Sequence, residues 1–215
     1  MKRNQGRVYI VDDDADSRES VAALAAQLGV SAQSFASAEE FLQDYDGFRP
    51  ACVVADLRML GMSGLELQRA LHQRGSTVPV VIVTAHADTP TIVQAMQNGA
   101  ITALDKPCRD SELWNAIRHA LDVDLARMDE DFQRQRTATL VGQLSSGEQG
   151  VLELLLAGDS NKLIAMKLDL GLRTVEARRQ SIMRKLEVDS LAELAAMMTA
   201  YQSEARGRQK LESAS

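Results

Sequence analysis

Val8-Tyr9-Ile10-Val11-Asp12-Asp13 is a short apolar run that ends on two carboxylates, and its reading decides the fold of the first half of the chain. Three further runs are built the same way: Cys52-Val53-Val54-Ala55 ends on Asp56, Val80-Val81-Ile82-Val83 on Thr84, and Ile101 to Leu104 on Asp105-Lys106. Short β-rich apolar runs read as strands, and their alternation with helical patterns argues for βαβ units around a parallel sheet. Strands are expected at 7–12, 31–35, 51–55, 79–84 and 101–104, with helices at 16–28, 38–45, 64–73, 90–98 and 110–122. Ser37-Ala38-Glu39-Glu40 and Ser63-Gly64-Leu65-Glu66 have capping-box spacing, and Thr89-Pro90 places a cap before a first-turn proline. Gly29, Gly75 and Gly99 stand where three of these helices should stop.

In an open doubly wound sheet, ligands bind beyond the carboxyl ends of the strands, where the strand order reverses. A (βα)5 sheet of the α/β class, ordered 2-1-3-4-5, makes the ends of its first, third, fourth and fifth strands neighbours. Asp12, Asp13, Asp56, Thr84 and Lys106 then converge from four separate regions of the chain. Magnesium takes oxygen ligands, a few carboxylates with phosphate and water, so Asp12, Asp13 and Asp56 are candidate ligands of Mg2+. Asp56 stands alone at the central position and is the candidate nucleophile, attacking phosphorus to give an acyl phosphate. Lys106 supplies positive charge to the phosphoryl oxygens, and Thr84 donates a hydrogen bond to one of them. Each position alone reads as a helix cap or a surface residue; four agreeing in type and placement outweigh that.

With these residues the chain resembles the receiver domain of bacterial two-component response regulators. Val11-Asp12-Asp13-Asp14, Asp56-Leu57-Arg58-Met59 with Gly61-Met62-Ser63-Gly64, Val83-Thr84-Ala85-His86 and Asp105-Lys106-Pro107 carry the likeness, over residues 7 to about 122. It implies Asp56 as phosphoacceptor, Mg2+ held by Asp12, Asp13, Asp56 and the Arg58 carbonyl, a cis Lys106–Pro107 bond, and a histidine kinase as phosphoryl donor. Three positions depart from the family pattern. Leu60 stands where proline is usual, which predicts a looser loop after Asp56. Ala103 stands where an aromatic residue usually swings inward as the threonine moves, and Cys108 replaces the common phenylalanine after Lys-Pro. His86 is expected near the site, and His72 and His119 away from it.

Beyond the fifth strand the pattern is helical only. Leu113, Ile117, Leu121, Leu125, Met128 and Phe132 recur every three or four residues, so the fifth helix runs from the receiver, 1–122, into a helical linker, 123–143. That linker reads either as a solvated connector or as a seam between domains. Ser145-Ser146-Gly147-Glu148 and Ser190-Leu191-Ala192-Glu193 are again capping boxes, framing helices near 146–157, 161–168, 172–186 and 190–202 in an all-α domain, 144–202. Residues 203–215 read as a flexible polar tail.

The chain carries a net charge of −6, yet Lys162, Lys167, Arg173, Arg178, Arg179, Arg184 and Lys185 crowd one stretch against only Asp169 and Glu176. A local basic segment in an acidic chain suits a reader of nucleic acid. Leu144-Ser145 to Glu148, Gly158 to Ala165 and Arg173 to Leu186 resemble the LuxR-type helix-turn-helix, and with the receiver the likeness is to the FixJ/NarL family, most like the FixJ branch. The resemblance implies double-stranded DNA as a partner. On the recognition helix Val175, Ile182, Met183 and Leu186 turn toward the core, leaving Glu176, Ala177, Gln180 and Arg184 for base edges. Lys162, Arg173, Thr174, Arg179 and Lys185 are placed for phosphates, which orient without specifying sequence. Here too there are departures: Arg178 where histidine is frequent, Gly147 where arginine is frequent, and Gly171-Leu172 where serine and proline are common.

Cys52 and Cys108 lie far apart without metal-ligand spacing and read as small buried side chains. The basic opening Met1 to Arg7 precedes an apolar run too short for a secretory signal, and no later run approaches a membrane span, so a cytoplasmic protein without a membrane partner is expected. The reading that follows is a transcription regulator, not an enzyme beyond slow self-catalysed phosphoryl chemistry, that dimerises on DNA when Asp56 is phosphorylated. A DNA-binding regulator whose receiver is not gated competes, on Ala103 and Leu60. A phosphatase of the haloacid-dehalogenase type ranks low, because it needs an Asp two residues after the nucleophile and this chain has Arg58 there.

Overall fold

Alternation along β1 (Arg7–Val11) sends Tyr9 and Val11 into one buried layer and Val8 and Ile10 into another. The computed structural model describes residues 6–85 and 88–212, the last ten of these as backbone alone. β3 (Ala51–Ala55) and β4 (Val80–Thr84) are buried along their whole length, as strands covered on both faces must be. With β2 (Ser31–Phe35) and β5 (Thr102–Asp105) they form a parallel sheet in the order β2-β1-β3-β4-β5. Phe41 of α2 (Ala38–Asp44), Leu67 and Leu71 of α3 (Gly64–Gln73) and Ala95 of α4 (Thr89–Gln97) pack on one face. Val21 and Leu24 of α1 (Ala15–Gln27) and Leu113 and Ile117 of α5 (Asp110–Gly142) pack on the other.

The strands and the first four helices lie within one residue of the ranges the sequence predicts. Ser37 and Ser63 cap α2 and α3 as expected, the latter in a full capping box with Glu66. The cap of α4 is one residue earlier than expected. Asp88 accepts from the Thr91 amide at 2.8 Å, which leaves Thr89-Pro90 inside the first turn.

Two boundaries differ from the sequence reading. The chain divides into compact units at Asp129/Glu130, so the first unit takes in residues expected in the linker. The reason is Asp124, whose fully buried carboxylate accepts from the Ala51 amide at 2.9 Å and from Arg49 Nε at 3.0 Å. Arg127 adds a bond to the Thr77 carbonyl at 2.6 Å. At the other end, the final helix α9 (Leu191–Glu212) continues past residue 202, where a flexible tail was expected; residues 213–215 lie outside the described residues. Glu, Ala, Arg, Gln and Lys dominate this stretch, and such residues favour helix even where none is apolar enough to signal one.

In the second unit α6 (Ser146–Leu156), α7 (Asn161–Lys167), α8 (Leu172–Lys185) and α9 share a core of Val151, Leu152, Ile164, Val175, Ile182, Leu186 and Leu194. Val175, Ile182 and Leu186 are buried and Met183 half-buried against them, which is the inward face expected of the recognition helix.

Candidate functional site

The carboxyl ends of β1, β3, β4 and β5 bring Asp12, Asp13, Asp56, Thr84 and Lys106 together, because each residue ends or directly follows its strand. One oxygen of each of Asp12, Asp13 and Asp56 lies within 4.8 Å of the others. Lys106 Nζ reaches Asp12 Oδ2 at 2.6 Å and Asp56 Oδ2 at 3.6 Å, and donates to Ser17 Oγ at 3.1 Å. The Lys106–Pro107 bond is cis, and the Lys106 amide donates to the Thr84 carbonyl at 2.8 Å. Asp12 is fixed further by the Asp14 amide on its Oδ1, at 3.0 Å, and by Arg18 on its carbonyl, at 2.6 Å. Asp56 Oδ1 is buried and has no hydrogen-bond partner among the described residues. Thr84 is buried at the end of β4. A crevice of about 440 Å3 opens beside the site, floored by Ile10, Val54, Val83 and Leu113, with Cys108 in its wall. Burial raises the Cys108 thiol above its ordinary pKa.

The loop after Asp56 is not loose. The Leu60 amide donates to Asp13 Oδ2 at 3.1 Å and the Met62 amide to Glu39 Oε1 at 2.8 Å, while Gly64 packs against the Asp56 carbonyl, where a Cβ would come within 2.3 Å. Leucine supplies an N–H that proline lacks, and the bond it makes replaces the ring's restraint. The Arg58 side chain is exposed and pairs with Asp88 at 3.8 Å. Ala103 pairs with Ile82 in the sheet and is half-buried against the core, so no aromatic ring stands there. His86 lies outside the described residues, and His72 and His119 are exposed. Ser17, Arg18 and the Leu60 amide were not legible as site residues; the only signal was their place beside Asp12 and Asp56.

In the second unit the recognition helix α8 exposes Arg173, Thr174, Glu176, Ala177, Gln180 and Arg184, and α7 exposes Lys162. Arg179 is half-buried and donates to Asn161 Oδ1 at 3.3 Å. Lys185 does not sit as expected for a phosphate contact. It pairs with buried Glu148 at 2.7 Å and donates to the Gln143 carbonyl at 3.0 Å, holding α8 to α6. That ammonium, first, and a hydrogen bond from Ser181 hold the Glu148 carboxyl down at about 2. Two of the departures from the family pattern are one arrangement. Arg178 donates to the Gly147 carbonyl at 3.2 Å, and its Cζ would lie 2.8 Å from a Cβ on Gly147, so the guanidinium occupies the space a side chain there would need. Lys167 pairs with Asp159 at 2.6 Å. Of the basic stretch, Lys162, Arg173 and Arg184 are the residues without a protein partner among the described residues.

Comparison with known proteins agrees with both halves. The family described as response regulator receiver domain matches residues 8–118, and that described as bacterial regulatory proteins, luxR family, matches residues 142–198. The chain is 38% identical over 190 residues to the transcriptional regulatory protein FixJ of Bradyrhizobium diazoefficiens, covering 88% of this chain and 93% of that one. It is 36% identical over 194 residues to the response regulator protein TmoT of Ectopseudomonas mendocina, covering 90% and 88%. Among solved structures, the response regulator StyR superposes with a TM-score of 0.82 at 37% identity, over 92% of this chain and 100% of that one. Full-length FixJ from B. japonicum gives 0.58 at 36% identity, over 93% and 98%. Among the described residues no helix is long and apolar enough to cross a membrane. A receiver sheet joined to a LuxR-type helix-turn-helix, matched along nearly its whole length by FixJ, places this chain in the FixJ family of two-component response regulators, DNA-binding regulators of transcription.

Proposed function

We propose that the chain is a cytoplasmic regulator whose DNA binding is controlled by Mg2+-dependent transfer of a phosphoryl group from a histidine kinase to Asp56. The observation that carries this reading is the state of the Asp56 carboxylate. One oxygen is buried without a partner and the other faces Lys106 at 3.6 Å, with two more carboxylates within 4.8 Å. That is an all-oxygen donor set with unmet coordination, and it fits a magnesium ion held by Asp12, Asp13, Asp56 and the Arg58 carbonyl. Bound there, the ion would neutralise charge on the phosphoryl oxygens. An Asp56 oxygen attacks phosphorus as the P–N bond of the donor phosphohistidine breaks, its electron pair going to the imidazole nitrogen, and an acyl phosphate forms. Lys106, drawn off Asp12, pairs with the phosphoryl oxygens, and the Thr84 hydroxyl donates to one of them.

A new dianionic group at Asp56 biases a two-state receiver, and the second unit then pairs on DNA as a homodimer, each recognition helix in the major groove of its half-site. Glu176, Ala177, Gln180 and Arg184 read bases; Lys162, Arg173, Thr174 and Arg179 orient the helix on phosphates. Incubation with phosphoramidate and Mg2+, followed by intact-mass measurement, tests the first step. A gain of one phosphoryl group in the native chain and none in Asp56→Asn is expected; uptake that survives the substitution, or needs no divalent ion, contradicts it.

A further inference from the structure

We infer that the backbone amide of Leu60 is a working part of the metal site, orienting Asp13 and tying it to the loop that carries the Arg58 carbonyl; this rests on the proposed Mg2+ site. The three carboxylates are held very unequally. Asp12 is fixed by Lys106 at 2.6 Å and by the Asp14 amide at 3.0 Å, and the Asp56 carboxylate is confined by burial, with Oδ2 3.6 Å from Lys106. Asp13 is exposed, and the Leu60 amide, at 3.1 Å, is the one hydrogen-bond partner of its carboxylate among the described residues. Without that bond its side chain is free to rotate away from the other two.

The bond takes Oδ2 of Asp13 and leaves the second oxygen for a cation, which is how an outer-shell donor orients a ligand without competing for it. The same loop is anchored on its other side by Met62 on Glu39 at 2.8 Å and by Gly64 on the Leu57 carbonyl at 3.1 Å. Leu60 therefore lies between the Arg58 carbonyl and a fixed point, and its bond closes the loop onto Asp13. Its side chain is 81% exposed, so the contribution of the residue is its N–H. Proline has no N–H to give, so Leu60→Pro removes the bond.

Magnesium titrations of the full chain by calorimetry test this with three forms: native, Leu60→Ala and Leu60→Pro. Loss of an outer-shell partner weakens metal binding by about 10- to 100-fold, so Leu60→Pro is expected to raise the Mg2+ Kd at least about tenfold while Leu60→Ala, which keeps the amide, matches the native chain. An amide-to-ester replacement at residue 60 removes the same N–H without a ring and is expected to weaken binding as the proline does, which keeps the test intact if Leu60→Pro melts early. Native affinity in both N–H-deficient forms, or an equal loss in Leu60→Ala, overturns the inference and leaves the metal site standing. A native chain that takes no Mg2+ at millimolar concentration removes the site itself.

Discussion

Asp12, not Asp56, is the nearer partner of Lys106, at 2.6 Å against 3.6 Å, so under the proposed transfer to Asp56 the ammonium changes partner. Lys106→Met is therefore expected to leave the fold intact and to slow phosphoryl uptake from phosphoramidate by about a hundredfold or more, the usual effect of deleting one preorganised donor; uptake at the native rate contradicts its role. The basic residues of α8 divide by the same criterion of partner. Arg173→Ala is expected to lower the salt slope of DNA binding by about one, as loss of a phosphate contact does, whereas Lys185→Ala leaves the slope alone and lowers the melting temperature of the second unit. Glu148 makes a pH test available. Its carboxyl is held at about 2 in the folded state against 4.5 ordinarily, chiefly by Lys185. A depressed carboxyl stabilises the fold at pH above its ordinary value, and that contribution drains away as pH falls from about 4.5 through about 2. Thermal melts across that window are expected to show the loss in the native chain and much less of it in Lys185→Ala; parallel curves contradict the assignment.

At the level of elements, α5 is pinned before it leaves the first unit, by a carboxylate with no exposure to solvent. Asp124→Ala strands the Ala51 amide and takes the carboxylate from Arg49, and is expected to cost about 3 kcal/mol in denaturant unfolding, within the range for breaking a buried pair; a cost below about 1 kcal/mol would mean the pair is not holding the helix. Nothing in the sequence marks Asp124 as different from Asp122 or Asp129, because its partners lie more than seventy residues away and no periodicity records them. The same holds for Lys185 on Glu148, for Arg178 in the space above Gly147 and for the Leu60 amide on Asp13: each joins segments distant in sequence. The strands and the site carboxylates were legible for the opposite reason. Val8 to Asp13, Val80 to Thr84 and their counterparts carry strand and strand-end chemistry within a few residues, and the parallel order of the sheet then brings the ends together. α4 and α9 were misjudged by a residue and by ten because local signals, a threonine before proline and a polar composition, were weaker than a carboxylate cap and helix propensity.

For the whole molecule, the proposed function gives uptake of a phosphoryl group to the acidic receiver and contact with DNA to the unit that carries the basic stretch of α7 and α8. With Lys162, Arg173 and Arg179 as the cations set on phosphates, a dimer neutralises about six of them, and log K against log salt is expected to fall with a slope of about −5. A much steeper slope would mean that Arg178 or Lys185 leaves its protein partner on binding. Ala103 makes the link between the two units the point most in need of test, since the ring that usually follows the site threonine is replaced by a methyl group. The decisive measurement is the affinity of the full chain for its operator, with Mg2+, in the presence and absence of a beryllofluoride mimic of the phosphoryl group, for native protein and Asp56→Asn. Control by Asp56 predicts that the mimic tightens binding of the native chain alone; equal affinity in all four cases, with phosphorylation of Asp56 by phosphoramidate confirmed by mass, would show a DNA-binding protein that its receiver does not gate.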